Sequence, residues 1–394
     1  MNKETHLYIC LSEDWGTKER AALRNALMAM EEGHQVFLYC LKESVLDLAA
    51  KKAKVHILYY KRGRPWKKLD FAHLYEIRDI VARYEIALVH CFDLQGLVPV
   101  GFALMRFPRV PLLMSIFAEV TKTYKRFWHR WALRRVDYFM VPTTELGDNV
   151  LDRLKVKATK IEVTGLCITS PDVTKQLSSD EFVKVFNLPE KSVVIGALVG
   201  RHLREASGVV PLLYALKGLV QSLGEDGKEA ILIMIGEKKW NTHLISKELK
   251  ALVASLGLKD NVRFCDEMDF ESIQYLFDLW VGLPSIEGLT DHMLASLYAG
   301  VPVILPRTAS TLELIRRNDL SPGKTYRIGD GRELKDSCLA ILKDSKAFRS
   351  DVKALKEYLE ASHGSVHYKN ILLNACHDLV EKRSRILLSR TSKI

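Results

Sequence analysis

The chain has 394 residues, 48% of them hydrophobic, 27% charged and 9% aromatic. That is too apolar for a disordered chain, and 22 Gly and 12 Pro are too few for a fibrous one; the length suits two or three domains, each with its own core. The net charge is +10, and residues 51–135 alone hold 18 basic against 6 acidic residues, so one segment carries more than the whole excess and favours an anionic partner.

In chain order, the opening Met-Asn-Lys-Glu-Thr-His leads straight into an apolar strand, His6–Leu11, with no signal-peptide apolar region. The loop Asp14-Trp15-Gly16-Thr17-Lys18-Glu19-Arg20 then opens a helix whose Ala22, Leu23, Ala26, Leu27 and Met30 repeat at helical spacing and stop at Gly33. Gly16 permits close backbone approach at a helix N-terminus, although a lone glycine is a weak signal. Further strands are expected at Gln35–Leu41, Val55–Tyr60, Ile86–Cys91, Val110–Phe117, Tyr138–Pro142 and Lys160–Thr164. A polar stretch without periodicity follows, so the domain boundary is expected near 170–190. A second series comprises Val193–Val199, Ala230–Gly236, Asn261–Cys265, Leu279–Pro284 and Val301–Leu305. Strand–helix alternation in two series predicts two α/β domains with parallel sheets, 1–175 and 176–364, with a C-terminal helix at about 365–394 packing back toward the first. Ligands of such sheets bind beyond the carboxyl ends of the strands, and the cleft between the two domains is the expected site.

No run reaches the ~20 apolar residues needed to span a bilayer. The seven cysteines are scattered, none spaced Cys-x-x-Cys, and most lie inside apolar runs. Buried thiols, a reduced cytoplasmic compartment and no structural zinc are the expectation.

Three stretches carry chemistry. In Pro284-Ser285-Ile286-Glu287-Gly288-Leu289-Thr290-Asp291-His292, a carboxylate follows a strand and precedes a helix. It can bind hydroxyl groups while the helix-start amides bind phosphate, or Glu287 is a solvated residue of a plain βαβ turn. In Val199-Gly200-Arg201-His202-Leu203, an Arg directly after an apolar strand can clamp phosphate oxygens with two parallel hydrogen bonds, or serve an ordinary surface ion pair. The Gly16 loop is the third. It lacks a Gly-x-Gly-x-x-Gly fingerprint, and no acidic residue ends the second strand, so a dinucleotide site is disfavoured.

Together these stretches resemble family-4 glycosyltransferases, whose fold is GT-B: two Rossmann-like parallel-sheet domains facing a central cleft. The resemblance runs through Gly16–Arg20, Glu32-Gly33-His34-Gln35-Val36, Leu88-Val89-His90, Asp137–Pro142, Val199–Leu203, Asn261–Phe264, Pro284–Val303 and Leu312–Ile315. It implies retaining transfer of a sugar from a nucleotide-diphosphate sugar to a glycan or lipid-linked acceptor, as in cell-envelope glycan biosynthesis, with no divalent metal and no other cofactor. On that resemblance Arg201 clamps the diphosphate and Glu287 holds hydroxyls of the donor sugar. Gly288, Leu289 and Thr290 present amides, Gly16 sits against the phosphates from the other domain, and backbone near Glu267–Met268 meets the base. The sequence departs from the family pattern at several positions. The slot of a second diphosphate cation reads Ser207-Gly208, for which Arg204 is the candidate substitute. The ribose-holding Glu is Ala295, the second loop glycine is Thr290, a strand-ending His is Phe117, and a Gly-x-Gly reads Gly236-Glu237-Lys238. Two readings follow: a glycosyltransferase with a rewired donor site, or a GT-B protein that has lost catalysis and acts as a binding or partner module. A sugar-nucleotide epimerase is a third, lacking the paired carboxylates and His expected for it. Asp291 and His292 lie in the same loop, as rewired contacts or as helix-capping residues.

In the basic segment, Lys61–Lys68 packs five cations around Trp66, and Tyr124–Arg135 interleaves cations with aromatics on a helical pattern. The pattern fits a solvated helix whose aromatics face the core, or a peripheral surface for an anionic membrane at the inner face. No nucleic-acid module accompanies the charge, so no nucleic acid is expected.

Overall fold

A computed structural model of the chain describes residues 3–61, 71–124, 126–168, 176–199, 208–236, 244–265, 270–285, 288–315 and 320–391. The strands are β1 (Thr5–Cys10), β2 (Gln35–Leu41), β3 (His56–Tyr60), β4 (Leu88–Cys91), β5 (Leu112–Ser115), β6 (Tyr138–Val141), β7 (Ile161–Val163), β8 (Ser192–Val199), β9 (Glu229–Gly236), β10 (Val262–Cys265), β11 (Leu279–Val281), β12 (Val303–Pro306) and β13 (Gly323–Tyr326). The helices are α1 (Thr17–Glu31), α2 (Val45–Lys52), α3 (Phe71–Arg83), α4 (Leu97–Ala103), α5 (Phe127–Arg135), α6 (Thr144–Leu154), α7 (Ser179–Phe186), α8 (Val209–Gly224), α9 (Leu244–Ser255), α10 (Phe270–Ile273), α11 (Asp291–Tyr298), α12 (Ala309–Ile315), α13 (Gly331–Lys343), α14 (Ser345–His363) and α15 (Ser365–Thr391).

The chain divides into two compact units: 1–167 with 365–394, and 168–364. The division precedes the polar stretch at 170–190 because Ile168 already bridges Gly364 and its N–H donates to the His363 carbonyl at 2.5 Å. The first unit holds a seven-stranded sheet of order β3-β2-β1-β4-β5-β6-β7, the second a six-stranded sheet of order β10-β9-β8-β11-β12-β13. Every ladder is parallel. Strands such as β4, β5 and β12 are buried at each residue, as strands covered on both faces must be.

In the first unit one face packs Leu7, Ile9, Val89, Leu112, Met114 and Phe139 against the helices that follow the strands. The opposite face is closed by α15: Tyr368, Leu372, Cys376 and Leu379 recur at helical spacing and pack on Leu88, Leu113 and Met140. Lys369 fixes the helix laterally through Glu31 at 3.1 Å and Glu32 at 2.9 Å. The second core centres on β8, β9 and α8, with Ile195, Leu232, Met234, Leu212 and Leu216 among its buried residues. At Gly196 any Cβ would stand 2.5 Å from the Trp280 ring, so that ring lies over β8 only because residue 196 has no side chain.

Candidate functional site

In both units the strand order reverses once. β8 is flanked by β9 on one side and β11 on the other. The strand order therefore reverses between β8 and β11, the topology at which open parallel sheets bind ligands beyond their strand ends. The Val199–Leu203 motif starts at the last residue of β8, and the Pro284–His292 motif starts three residues after β11 ends. Arg201, Arg204, Ser207, Met268 and Glu287 lie outside the described residues, as does most of Lys61–Lys68.

Around them the frame is specific. Gly208 opens α8 with its Cα against Pro284: an added Cβ would lie 2.4 Å from the proline Cδ. The two crevice-lining segments thus touch through a glycine. Gly236 ends β9 buried, paired with Val199. Gly288 has φ +68°, a left-handed conformation that costs other residues about 1–2 kcal/mol, and its N–H donates to the Ser285 carbonyl at 3.2 Å. Leu289 is buried, and Thr290 is the extended N-cap residue of α11, with no cap bond from its side chain. Gly288, Leu289 and Thr290 are therefore together at a helix N-terminus at the switch point, while Gly236 is two strands away. Asp291 accepts the His292 N–H at 3.1 Å and pairs with its ring at 3.3 Å, a helix-start role; the His292 ring meets the edge of Phe270 at 4.9 Å. Ala295, one turn further, is half-buried.

The first unit reverses between β1 and β4. There the structure adds a network that the motifs did not single out. Lys18 Nζ donates to Asp93 Oδ1 at 2.8 Å and stands 3.3 Å from Glu19 Oε1. Asp93 Oδ2 accepts the Leu11 N–H at 2.7 Å, tying the end of β1 to the loop after β4. Burial opposes a charge on Lys18, but the Asp93 and Glu19 carboxylates outweigh it and hold the ammonium well above its ordinary range. Burial likewise opposes the Glu19 charge, yet Lys18 and the hydrogen bonds from Ser12 and Gly16 keep its carboxyl below the usual carboxylate range. The Gly16 N–H donates to Glu19 Oε2 at 2.7 Å, so this amide is committed within the loop and an internal carboxylate already complements the N-terminus of α1. Lys18 and Glu19 stand in the quoted Gly16 loop; Asp93, two residues beyond β4, joins them only once β1 and β4 are neighbours.

His90 of the "VH" stretch is fully buried, stacks on Phe92 at 4.3 Å and shares a 2.8 Å hydrogen bond with Ser115 Oγ. Burial pushes its pKa down to about 3, so it is neutral and structural at ordinary pH. Phe117, just past β5, is buried.

The aromatic–basic run splits on α5. Trp131 packs inward on Phe102 at 4.6 Å, whereas Phe127 is 76% exposed. Exposed Arg126, Arg130 and Arg134 follow one another at four-residue intervals. Beside them a groove of about 410 Å³ is floored by Leu133, Leu154 and Val156 and rimmed by Arg130, Arg134, Lys155, Lys157 and Lys160. No described helix is long and apolar enough to cross a membrane.

Two parallel-sheet Rossmann-like units, each with one reversal of strand order, define the fold class: GT-B. Residues 19–168 match the model of Glycosyltransferase Family 4. No curated protein matches the chain in sequence. Among solved structures, a glycosyltransferase from Rickettsia africae ESF-5 superposes with TM-score 0.79 at 16% identity, covering 96% of this chain and 99% of the other. HepE from Anabaena in complex with UDP gives TM-score 0.77 at 14% identity, covering 95% and 100%. The UDP-GlcNAc 2-epimerase from Neisseria meningitidis, bound to UDP-GlcNAc, gives 0.63 at 12%, covering 94% and 98%. At these identities the likeness establishes the fold.

Proposed function

We propose that the protein is a retaining glycosyltransferase that moves a sugar from a nucleotide-diphosphate sugar to a glycan or lipid-linked acceptor of the cell envelope. The observation that supports this reading is the β8/β11 switch point itself, where Gly208 at the start of α8 lies against Pro284 and a left-handed Gly288 precedes the Thr290 N-cap of α11. Arg201 clamps the diphosphate, and Arg204 stands in for the cation missing at Ser207. Glu287 holds donor-sugar hydroxyls, amides of Gly288, Leu289 and Thr290 meet sugar and phosphate, and Met268 backbone meets the base near Gly236. Preorganised charge of this kind stabilises a departing diphosphate without a divalent metal. Gly16 contributes close approach rather than its N–H, which Glu19 occupies. The basic surface of the first unit faces an anionic membrane from the cytoplasmic side.

UDP-sugars come first as donors because the Anabaena structure holds UDP. Calorimetric titration of the full chain with UDP-, GDP- and ADP-sugars is expected to find one that binds. Arg201→Ala and Glu287→Ala then weaken binding or abolish transfer, by roughly 100-fold or more for the arginine. Absence of binding by any nucleotide-sugar refutes the reading. Binding without transfer or hydrolysis selects the non-catalytic binding module, which the replacement of the ribose-holding carboxylate by Ala295 favours.

A further inference from the structure

At the end of the first sheet opposite the switch point, Glu4, His6 and His34 come together across the entries of β1 and β2. Each offers one ligand atom, and the three atoms lie within 4.8 Å of one another; no other such group of three exists among the described residues. His6 is 1% exposed, an unusual burial for an imidazole, and its Nδ1 is buried with no hydrogen-bond partner. Its Nε2 stands 3.4 Å from Glu4 Oε2. Two ligands held 2.0–2.1 Å from a tetrahedral zinc lie roughly 3.4 Å apart, so this pair already has the spacing of a shared ion. The His6 and His34 rings stack at 4.5 Å between centroids with planes 21° apart, and the Glu4 N–H points to His34 Nδ1 at 3.4 Å.

We infer that Glu4, His6 and His34 form a zinc site, a two-histidine, one-carboxylate set with water as the fourth ligand. Two imidazoles and a single carboxylate suit Zn²⁺ and disfavour Mg²⁺ or Ca²⁺, which take oxygen ligands. Half-buried His34 turns about its side-chain torsions so that its lone pair converges with that of His6 on the Glu4 oxygen; the face-to-face apo stack gives way to edges pointing at one ion. The site is independent of sugar transfer. It staples the first residues of β1 to the residue before β2, with α1 closing the loop between them, and it needs none of the seven buried cysteines.

The test uses the full chain stripped with chelator, titrated with ZnCl₂ by calorimetry and with Co²⁺ by visible absorption. The expected result is one high-affinity equivalent, an intense tetrahedral Co²⁺ spectrum, and a Tm raised by roughly 5–10 °C at a hundredfold excess over Kd. Glu4→Gln and His34→Gln each weaken binding roughly tenfold or more, while His56→Gln, an exposed histidine, leaves it unchanged. Both ligand variants change partly exposed side chains, and circular dichroism without metal verifies that they fold; either one suffices for the test. The proposal is overturned by no stoichiometric zinc binding, by binding equally tight in both ligand variants, or by a weak octahedral Co²⁺ spectrum.

Discussion

Replacing Lys18 by Met would leave the Asp93 carboxylate, 7% exposed, without its cation at the β1/β4 switch point. At 2.8 Å an effective dielectric of about 20 gives a Coulomb attraction of roughly 6 kcal/mol, most of it cancelled by desolvation of the pair. Removing one partner of a fully buried pair costs about 3–5 kcal/mol, and Lys18 is 26% exposed, which lets water screen part of the loss. The expected destabilisation is therefore about 2–3 kcal/mol, seen as a Tm lower by roughly 5–10 °C for a unit of this size. Differential scanning calorimetry of the full chain measures it. Asp93→Asn, which keeps shape and removes charge, should recover part of the loss in the Lys18→Met/Asp93→Asn double variant, with a coupling of about 1–2 kcal/mol. A Lys18→Met variant within about 0.5 kcal/mol of wild type, or two strictly additive losses, would refute the view that the pair holds the Gly16 loop to β4.

Gly196→Ala should destabilise the second unit by about 1–3 kcal/mol, because the new methyl would overlap the Trp280 and Phe277 rings at 2.5–2.9 Å; an unchanged unfolding midpoint would mean that the two rings yield freely. His90 binds no proton in the folded state until pH nears 3, whereas the unfolded imidazole protonates below about 6.5, so its contribution is intact at neutral pH and is lost as pH falls through that window. Wild type should thus lose about 2 kcal/mol between pH 7.5 and pH 5 from this group, and equal pH slopes in wild type and His90→Gln would exclude His90 as the cause. The chain should co-sediment with anionic but not neutral vesicles, with Phe127→Glu and high salt each weakening the attachment; equal, negligible binding to both vesicle types would remove the membrane reading.

Of the thirteen strands among the described residues, twelve are legible in sequence, most of them as apolar runs because a parallel strand covered on both faces needs apolar side chains throughout, and the half-exposed edge strand β7 (Ile-Glu-Val) by its β-branched residues. The exception, β13, reads Gly-Lys-Thr-Tyr at the edge of the second sheet, where a lysine is tolerated and only Tyr326 and Gly323 face the interior closely. Its Gly323 is dictated by register: an added Cβ would lie 2.0 Å from the Val303 carbonyl oxygen. From sequence, Pro322-Gly323 gives only a turn signal. The Gly288–Thr290 loop was readable because a strand, a loop and a helix start follow one another within a few residues. Lys18 with Asp93, and His6 with His34, were not. Their partners are distant in sequence and are brought together by strand order and strand entry, neither of which leaves a local pattern.

The same sorting explains the charge. Of the cations around α5, Lys160 donates to the carbonyls of Arg134 and Val136 and so serves the helix C-terminus, and Lys155 is matched by Asp152 at 2.8 Å. Arg130, Arg134 and Lys157 remain exposed, flanked by the exposed Phe127. The β1/β4 switch point of the same unit carries one ammonium against the Glu19 and Asp93 carboxylates, a local excess of negative charge. The first unit is thus basic along α5 but not at its β1/β4 switch point. On the proposed reading, stabilisation of a departing diphosphate falls to Arg201, Arg204 and the start of α11, and the cationic surface on α5 is left for the anionic vesicles of the co-sedimentation test.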